Sequence, residues 1–201
     1  SPEAAGTRLD VFLAGAGAQL HYAGKRGGKP SAKQGDISDK LIDLARSQRK
    51  VLRLKGGDPF IFGRGGEEAL ALAAAEVPFR LVPGITAAVA GLAYAGIPIT
   101  DRRINSAVTF ITGHEAGGGP PVGLDWPALA SGAPVLILYM ALKHLAWMAD
   151  RLLAAGRAGD TAVILISKAT LAGQQIVETS LARAADDAAA ANLEAPAIIA
   201  I

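Results

Sequence analysis

The sequence predicts an α/β protein built from two α/β domains with mostly parallel sheets. Three observations carry this. Short apolar runs alternate with longer helix-like runs along 201 residues, the pattern of strands joined by helical crossovers. A glycine-rich string beginning at Lys55 follows one apolar run and opens directly into an alanine-rich helical run. A Gly- and Pro-rich stretch at 115–125 interrupts the alternation and reads as a linker. It divides the chain into an N-terminal domain, 1–114, and a C-terminal domain, 115–201.

Taken in order, strand-like runs fall at 11–13, 19–22, 51–54, 79–82, 108–112, 135–140, 162–166, 175–178 and 197–201. Each is short, rich in Val, Ile, Leu, Phe or Tyr, and bounded by Gly, Pro or charge. Helix-like runs fall at 37–48, 67–76, 86–94, 142–155 and 181–191, with apolar residues at helical spacing or a high alanine content. One junction conflicts with this order. The run at 11–13 ends in Gly15-Ala16-Gly17, and the next strand begins at once. Parallel strands need a crossover of about a dozen residues or more. A few dozen residues are therefore expected to be absent between Gly17 and Ala18; the alternative is a tight antiparallel hairpin across the three small residues.

Composition narrows the function classes. The chain is 51% hydrophobic and 19% charged, with a formal net charge of +2. That suits a sizeable core and not low-complexity disorder. A basic stripe with interleaved aromatics is missing, so nucleic acid is not an expected partner. With no cysteine, disulfides and thiolate metal sites are excluded. His21, His114 and His144 lack close metal-ligand spacing, so no metal is expected. No apolar run is long enough to span a membrane without Gly, Pro or charge, and the expected location is cytoplasmic.

The chemistry-bearing string is Lys55-Gly56-Gly57-Asp58-Pro59-Phe60-Ile61-Phe62-Gly63-Arg64-Gly65-Gly66-Glu67-Glu68. It lies at the carboxyl end of an apolar run, where open α/β sheets bind ligands. Glycines let backbone approach a ligand closely. Gly56 and Gly57 offer backbone, Asp58 backbone and a carboxylate. Thr86 and Ala87 open a helix and can donate there, although Thr86 alone could be an N-cap. A single Gly-Gly-Asp-Pro is ordinarily a turn; the fourteen-residue string is far more specific. Neither the phosphate-loop pattern nor the dinucleotide fingerprint is present.

This string resembles the signature of the uroporphyrinogen-III C-methyltransferases, in the tetrapyrrole methylase family. Other segments follow in the family's order. Tyr22-Ala23-Gly24-Lys25-Arg26-Gly27-Gly28 resembles its Gly-Lys-Arg loop, and Val82-Pro83-Gly84-Ile85-Thr86-Ala87 its Pro-Gly-Ile-Thr turn. Ala95-Gly96-Ile97-Pro98-Ile99-Thr100 leads into Arg102, and the strand from Val108 runs to His114-Glu115. Leu138-Tyr139-Met140, Ala169-Thr170 and Ala195-Pro196-Ala197-Ile198-Ile199 resemble the later elements. Ala141 stands where many members carry glycine, and the match is nearest to members serving cobalamin synthesis.

The resemblance implies a cleft between two α/β domains that holds S-adenosylmethionine, released as S-adenosylhomocysteine. It implies methylation of uroporphyrinogen III at C2 and C7 to give precorrin-2, and a homodimer. Gly56, Gly57, Asp58, Thr86, Ala87, Met140, Ala169 and Ala197 would contact the cofactor. Arg26, Arg64 and Arg102 would bind the substrate's eight carboxylates, since guanidinium groups pair bidentately with carboxylates. Arg64 and Glu67 are candidates for the proton step; a normal arginine is a poor base, and Glu67 could simply favour the helix start. The family often has Thr-His-Arg where this chain has Thr100-Asp101-Arg102, so a role for that histidine cannot apply. The family also places a helical segment after its first Gly-Ala-Gly, none of which stands between Gly17 and Ala18. It likewise continues beyond the equivalent of Ile201. Alternatives are another precorrin methylase of the same fold, the diphthamide-pathway methylase, or a non-catalytic tetrapyrrole-binding protein. The Phe60–Glu68 portion of the string argues against the other methylases.

Overall fold

The structure is a computed structural model that describes residues 17–21, 34–47, 50–115 and 117–201. Backbone contacts divide the chain into two compact units, Ser1–Gly84 and Ile85–Ile201. The expected strands at 11–13 and 19–22 lie wholly or partly outside the described residues, as does Arg26. Gly17 takes a left-handed turn conformation, and no strand forms over 18–21.

In the first unit, helices α1 (Gln34–Arg46) and α2 (Gly65–Ala74) pack together. Glu67 and Glu68 stand in the first turn of α2, where carboxylates complement the helix dipole. The helix closes with Glu76 in the left-handed region and the Val77 amide donating to the Leu72 carbonyl, 2.9 Å. The runs 51–54 and 79–82, expected as strands, have no ladder partner among the described residues. A strand is defined by its pairing, and here Leu52 and Val82 are exposed.

The second unit is a five-stranded sheet of β1 (Thr109–Thr112), β2 (Leu136–Tyr139), β3 (Ala162–Ser167), β4 (Gln175–Ser180) and β5 (Ala197–Ala200). Their order across the sheet is β1-β2-β5-β3-β4. β1 and β2 pair in parallel; β2–β5, β5–β3 and β3–β4 pair antiparallel. The expectation of mostly parallel pairing is corrected here. β5 inserts between two like-directed strands, and β4 returns beside β3 after a short helix-free turn. β1, β2 and β3 still point the same way.

Both faces of the sheet are covered. α4 (Trp126–Gly132), α5 (Leu145–Ala154, preceded by a 3₁₀ turn at Leu142–His144) and α6 (Ala184–Ala190) bury Leu136, Leu138, Val163, Leu165 and Ile199. α3 (Ala87–Tyr94) packs against β5, and Ile137, Ile166 and Ile198 are buried by the alternation of the same strands. α4 was not expected. Its start signal was nonetheless in the chain: Asp125 caps the Ala128 amide at 3.0 Å and Pro127 occupies the first turn. The stretch 115–125, read as a linker, connects β1 to α4 within this unit. At the edge where β2 begins, Arg157 donates to the carbonyls of Ala133, Pro134 and Ile201, closing it off.

At the opposite edge β1 runs into Gly113, whose amide donates to the Tyr139 carbonyl at 2.6 Å. A Cβ on Gly113 would lie 2.2 Å from the Ala141 Cα. Ala141, the departure from the family's glycine, is fully buried here. Gly113→Ala is expected to destabilise by at least ~2 kcal/mol, because the clash is with backbone that cannot rotate away. Urea unfolding would show this against Gly117→Ala, whose Cβ meets open space and should cost little.

Candidate active site

The carboxyl ends of β1, β2 and β3, together with the amino ends of β4 and β5, form one edge of the sheet. Four of the expected cofactor residues belong to this region. Met140 follows β2 and Ala169 follows β3. Ala197 begins β5 opposite Ser167, and continuing the Tyr139–Ile198 register places Met140 opposite Ala197. Thr86 precedes α3 and is tied to the end of β2: its hydroxyl lies 2.7 Å from that of Tyr139, which also accepts from the Ala88 amide at 3.2 Å. Thr86 makes no side-chain cap bond, so the simple N-cap role is not the one it plays. Ala87 is the first residue of α3. Ala169 brings its Cβ within 3.2 Å of where one on Gly91 of α3 would lie, so small residues set this approach.

The backbone at this edge is strained. Met140 has φ 53°, Lys168 49° and Thr170 69°. Left-handed backbone is uncommon outside glycine and is an outlier for a β-branched residue such as Thr170. Such positions cluster at ligand sites, where the surrounding structure over-determines them. Among the described residues the remaining non-glycine cases are Phe62 and Arg64 in the glycine-rich string, and Glu76 and Asn192, which end helices. Strain is thus concentrated in the motif loops.

In the first unit, Asp58 is a clamp. One carboxylate oxygen accepts from the Phe60 amide at 2.8 Å and the other from the Gly84 amide at 3.2 Å. The Gly57 carbonyl lies 2.3 Å from where a Gly84 Cβ would be, so the two turns touch through backbone. Asp58 therefore holds the Gly56-Gly57 turn against the Pro83-Gly84 turn; a ligand meets the turn's backbone more readily than its carboxylate. Gly57 takes φ 71° and Gly56 borders open space.

Arg64 donates from Nε to Glu67 Oε1 at 2.8 Å and from Nη2 to Oε2 at 2.6 Å, and both side chains are about half exposed. The hydrogen bond to Glu67 holds the guanidinium above its ordinary value. Arg64 is a permanent cation and cannot accept a proton; of the pair, only the carboxylate of Glu67 can. Arg102 is exposed and, among the described residues, makes no salt bridge, whereas neighbouring Arg103 is bound bidentately by Asp101.

Sequence reasoning missed Tyr139 as the anchor of Thr86, and it missed Glu68. Glu68 is 4% exposed and receives Gln34 at 2.9 Å, Arg53 at 3.2 Å and Lys55 at 3.1 Å. A second acidic residue beside the expected one, in a helix start preceded by Arg53 and Lys55, was the available signal.

Residues 6–185 match the family of Tetrapyrrole (Corrin/Porphyrin) Methylases. The chain belongs to this family. It is 57% identical over 189 residues to a uroporphyrinogen-III C-methyltransferase from a Sinorhizobium species, covering 94% of this chain and 68% of that one. It is 44% identical over 183 residues to the S-adenosyl-L-methionine-dependent uroporphyrinogen III methyltransferase of Methanosarcina barkeri, covering 91% and 72%. The crystal structure of uroporphyrin-III C-methyl transferase from Thermus thermophilus, complexed with S-adenyl homocysteine, superposes with a TM-score of 0.76. Its identity is 33%, with 95% of this chain and 80% of that one covered. Among the described residues, no helix of this tetrapyrrole methylase is long and apolar enough to cross a membrane.

The buried Glu68 sets a pH dependence. Burial pushes its carboxyl up, but the hydrogen bonds from Gln34 and Lys55 and the charges of Arg53 and Lys55 outweigh this, and the net shift is down from 4.5. Its stabilising contribution is present above that ordinary value and is lost as the pH falls through the lower folded value. Glu68→Gln should lower stability at pH 7 by about 1–3 kcal/mol, the cost of losing charge-assisted hydrogen bonds to cations that are only partly buried. Chemical denaturation at both ends of the range should show that difference shrinking below pH 4.5.

Proposed function

We propose that this chain transfers methyl groups from S-adenosylmethionine to carbon atoms of uroporphyrinogen III, giving precorrin-2 by methylation at C2 and C7. The observation that carries this reading is the strained, glycine-rich string of the family's signature joined to 57% identity with a uroporphyrinogen-III C-methyltransferase across 94% of the chain. On the resemblance alone, we assign it to the cytoplasm and to a homodimer.

The residues present fit such a cofactor. Met140 is 44% exposed at a left-handed position beyond β2, and Ile85 is exposed beside Thr86; these supply apolar surface next to hydrogen-bonding groups. Thr86, Ala87, Met140, Ala169 and Ala197 are assigned to it in the second unit. Gly56 and Gly57 are assigned through backbone, with Asp58 fixing their turn. The cofactor supplies an already activated methyl group on a sulfonium. The protein's work is then to align the partners and exclude water. Arg64 and Arg102 are assigned to substrate carboxylates, and so is Arg26, which lies outside the described residues. Glu67, held by Arg64, is assigned the proton that the methylated pyrrole intermediate gives up; the methylated carbon, which already carries a side chain, has none to lose.

Incubation of uroporphyrinogen III with labelled methyl donor should yield a product heavier by two methyl groups; an unmethylated substrate would refute the reading. Gly57→Val should abolish S-adenosylhomocysteine binding in calorimetry, since a β-branched residue is strongly disfavoured at its φ of 71° and its side chain would fill the space beside the turn. Arg64→Ala should keep that binding while turnover falls by a factor of ~10²–10⁴. Glu67→Gln keeps shape and removes the proton acceptor. Full activity in both variants would reduce the pair to a helix-start ion pair.

A further inference from the structure

The loop after Thr100 has a built interior. Asn105 is 9% exposed. Its carbonyl oxygen accepts from the Asp101 amide at 2.9 Å. Its amide nitrogen donates to the carbonyls of Ile99 at 3.1 Å and Ala107 at 3.3 Å. The Asp101 carbonyl accepts in turn from the amides of Ile104, at 2.9 Å, and Asn105, at 2.8 Å. One asparagine therefore ties both arms of the loop to its turn. The Asp101 side chain closes the same turn by accepting from the Arg103 backbone amide at 2.9 Å. The same carboxylate binds the Arg103 side chain through Nε at 3.0 Å and Nη2 at 2.9 Å. Of two adjacent arginines, one is thus neutralised in place, and Arg102 is left exposed.

We propose that Asp101 and Asn105 are positioning residues that present Arg102, and withhold Arg103, as the cation of this loop that meets a substrate carboxylate. The inference rests on the substrate reading above and extends it to specificity. Two neighbouring free guanidinium groups would attract carboxylates in several registers. A single free one on a hydrogen-bonded turn defines one register, because the backbone that carries it is already fixed and only the side chain is left to order on binding. A surface ion pair of this kind contributes little to stability; its consequence here is the removal of a competing cation.

Steady-state kinetics with uroporphyrinogen III test this, with S-adenosylhomocysteine calorimetry and thermal unfolding as controls. Arg102→Ala should raise KM about tenfold, the size expected for one charge-assisted hydrogen bond, with kcat and S-adenosylhomocysteine affinity retained. Arg103→Ala should leave KM within about twofold, as expected for a paired surface charge. Asn105→Ala should raise KM as Arg102→Ala does, and combining the two should add nothing. Where Asn105→Ala does not fold, the decisive variant is Asp101→Asn in the Arg102→Ala background. It keeps the turn's acceptor and drops the charge that holds Arg103. The released Arg103 should recover at least about threefold of the lost KM, a gain no purely structural role would give. An Arg103→Ala effect equal to that of Arg102→Ala, or no recovery in the double variant, overturns the inference while the methyltransferase reading stands. No methylation by the unsubstituted chain overturns that reading itself.

Discussion

The second unit hangs on Tyr139. Its carbonyl accepts from Gly113 at the end of β1, its backbone pairs with Ile198 of β5, and its ring meets Phe110 edge-on at 5.7 Å. Its hydroxyl binds the Ala88 amide and the Thr86 side chain at the start of α3. One residue thus joins two neighbouring strands and a helix start at the edge where the candidate cofactor residues gather. A buried hydroxyl left without partners costs about 1–3 kcal/mol, whereas a satisfied bond contributes only about 1 kcal/mol. The value of the arrangement is therefore mainly geometric: other placements of α3 would leave buried polar groups unpaired.

Much of this was legible in the chain. The sheet strands of the second unit announced themselves as short apolar runs, and its long helices by their periodicity. The glycine string and the Pro-Gly-Ile-Thr turn located the loops because turn chemistry is local. What was not legible depends on contacts between distant residues. Asp58 reads as a free carboxylate until Gly84, 26 positions on, is seen to donate to it. Thr86 reads as a cap until Tyr139, 53 positions on, takes its hydroxyl. Strand direction was equally hidden: nothing in 197–201 says that β5 enters antiparallel between β2 and β3. The extended runs at 51–54 and 79–82 carry strand-like composition, and composition does not supply a partner.

Charge is handled in the same non-local way. The chain has 20 basic and 18 acidic residues, close to balance, yet the motif loops are rich in cations. Arg53 and Lys55 are absorbed by Glu68, Arg64 by Glu67 and Arg103 by Asp101. These pairs differ in kind. Glu68 is buried, so its bonds orient the approach to the glycine string. The Arg64–Glu67 pair is exposed, so it contributes little to stability. A count of arginines could not make that distinction; burial makes it.

Strain completes the argument. Holding a non-glycine residue in a sparsely populated backbone region costs on the order of 1–3 kcal/mol. Met140 and Lys168 follow directly from β2 and β3, with Thr170 two residues further on, and the central residues Leu138 and Leu165 of those strands are fully buried. Rigid, buried strands can impose such conformations on the residues just beyond them; a mobile loop would relax. The Lys168 amide is further pinned to the Pro196 carbonyl at 2.8 Å, and the Thr170 amide to the Gln174 side chain at 2.8 Å. Backbone fixed in this way presents its polar groups in one direction before any ligand arrives, so little ordering remains to be done on binding. The small side chains of Ala169 and Ala197 at this edge leave those main-chain atoms uncovered, where bulk would hide them.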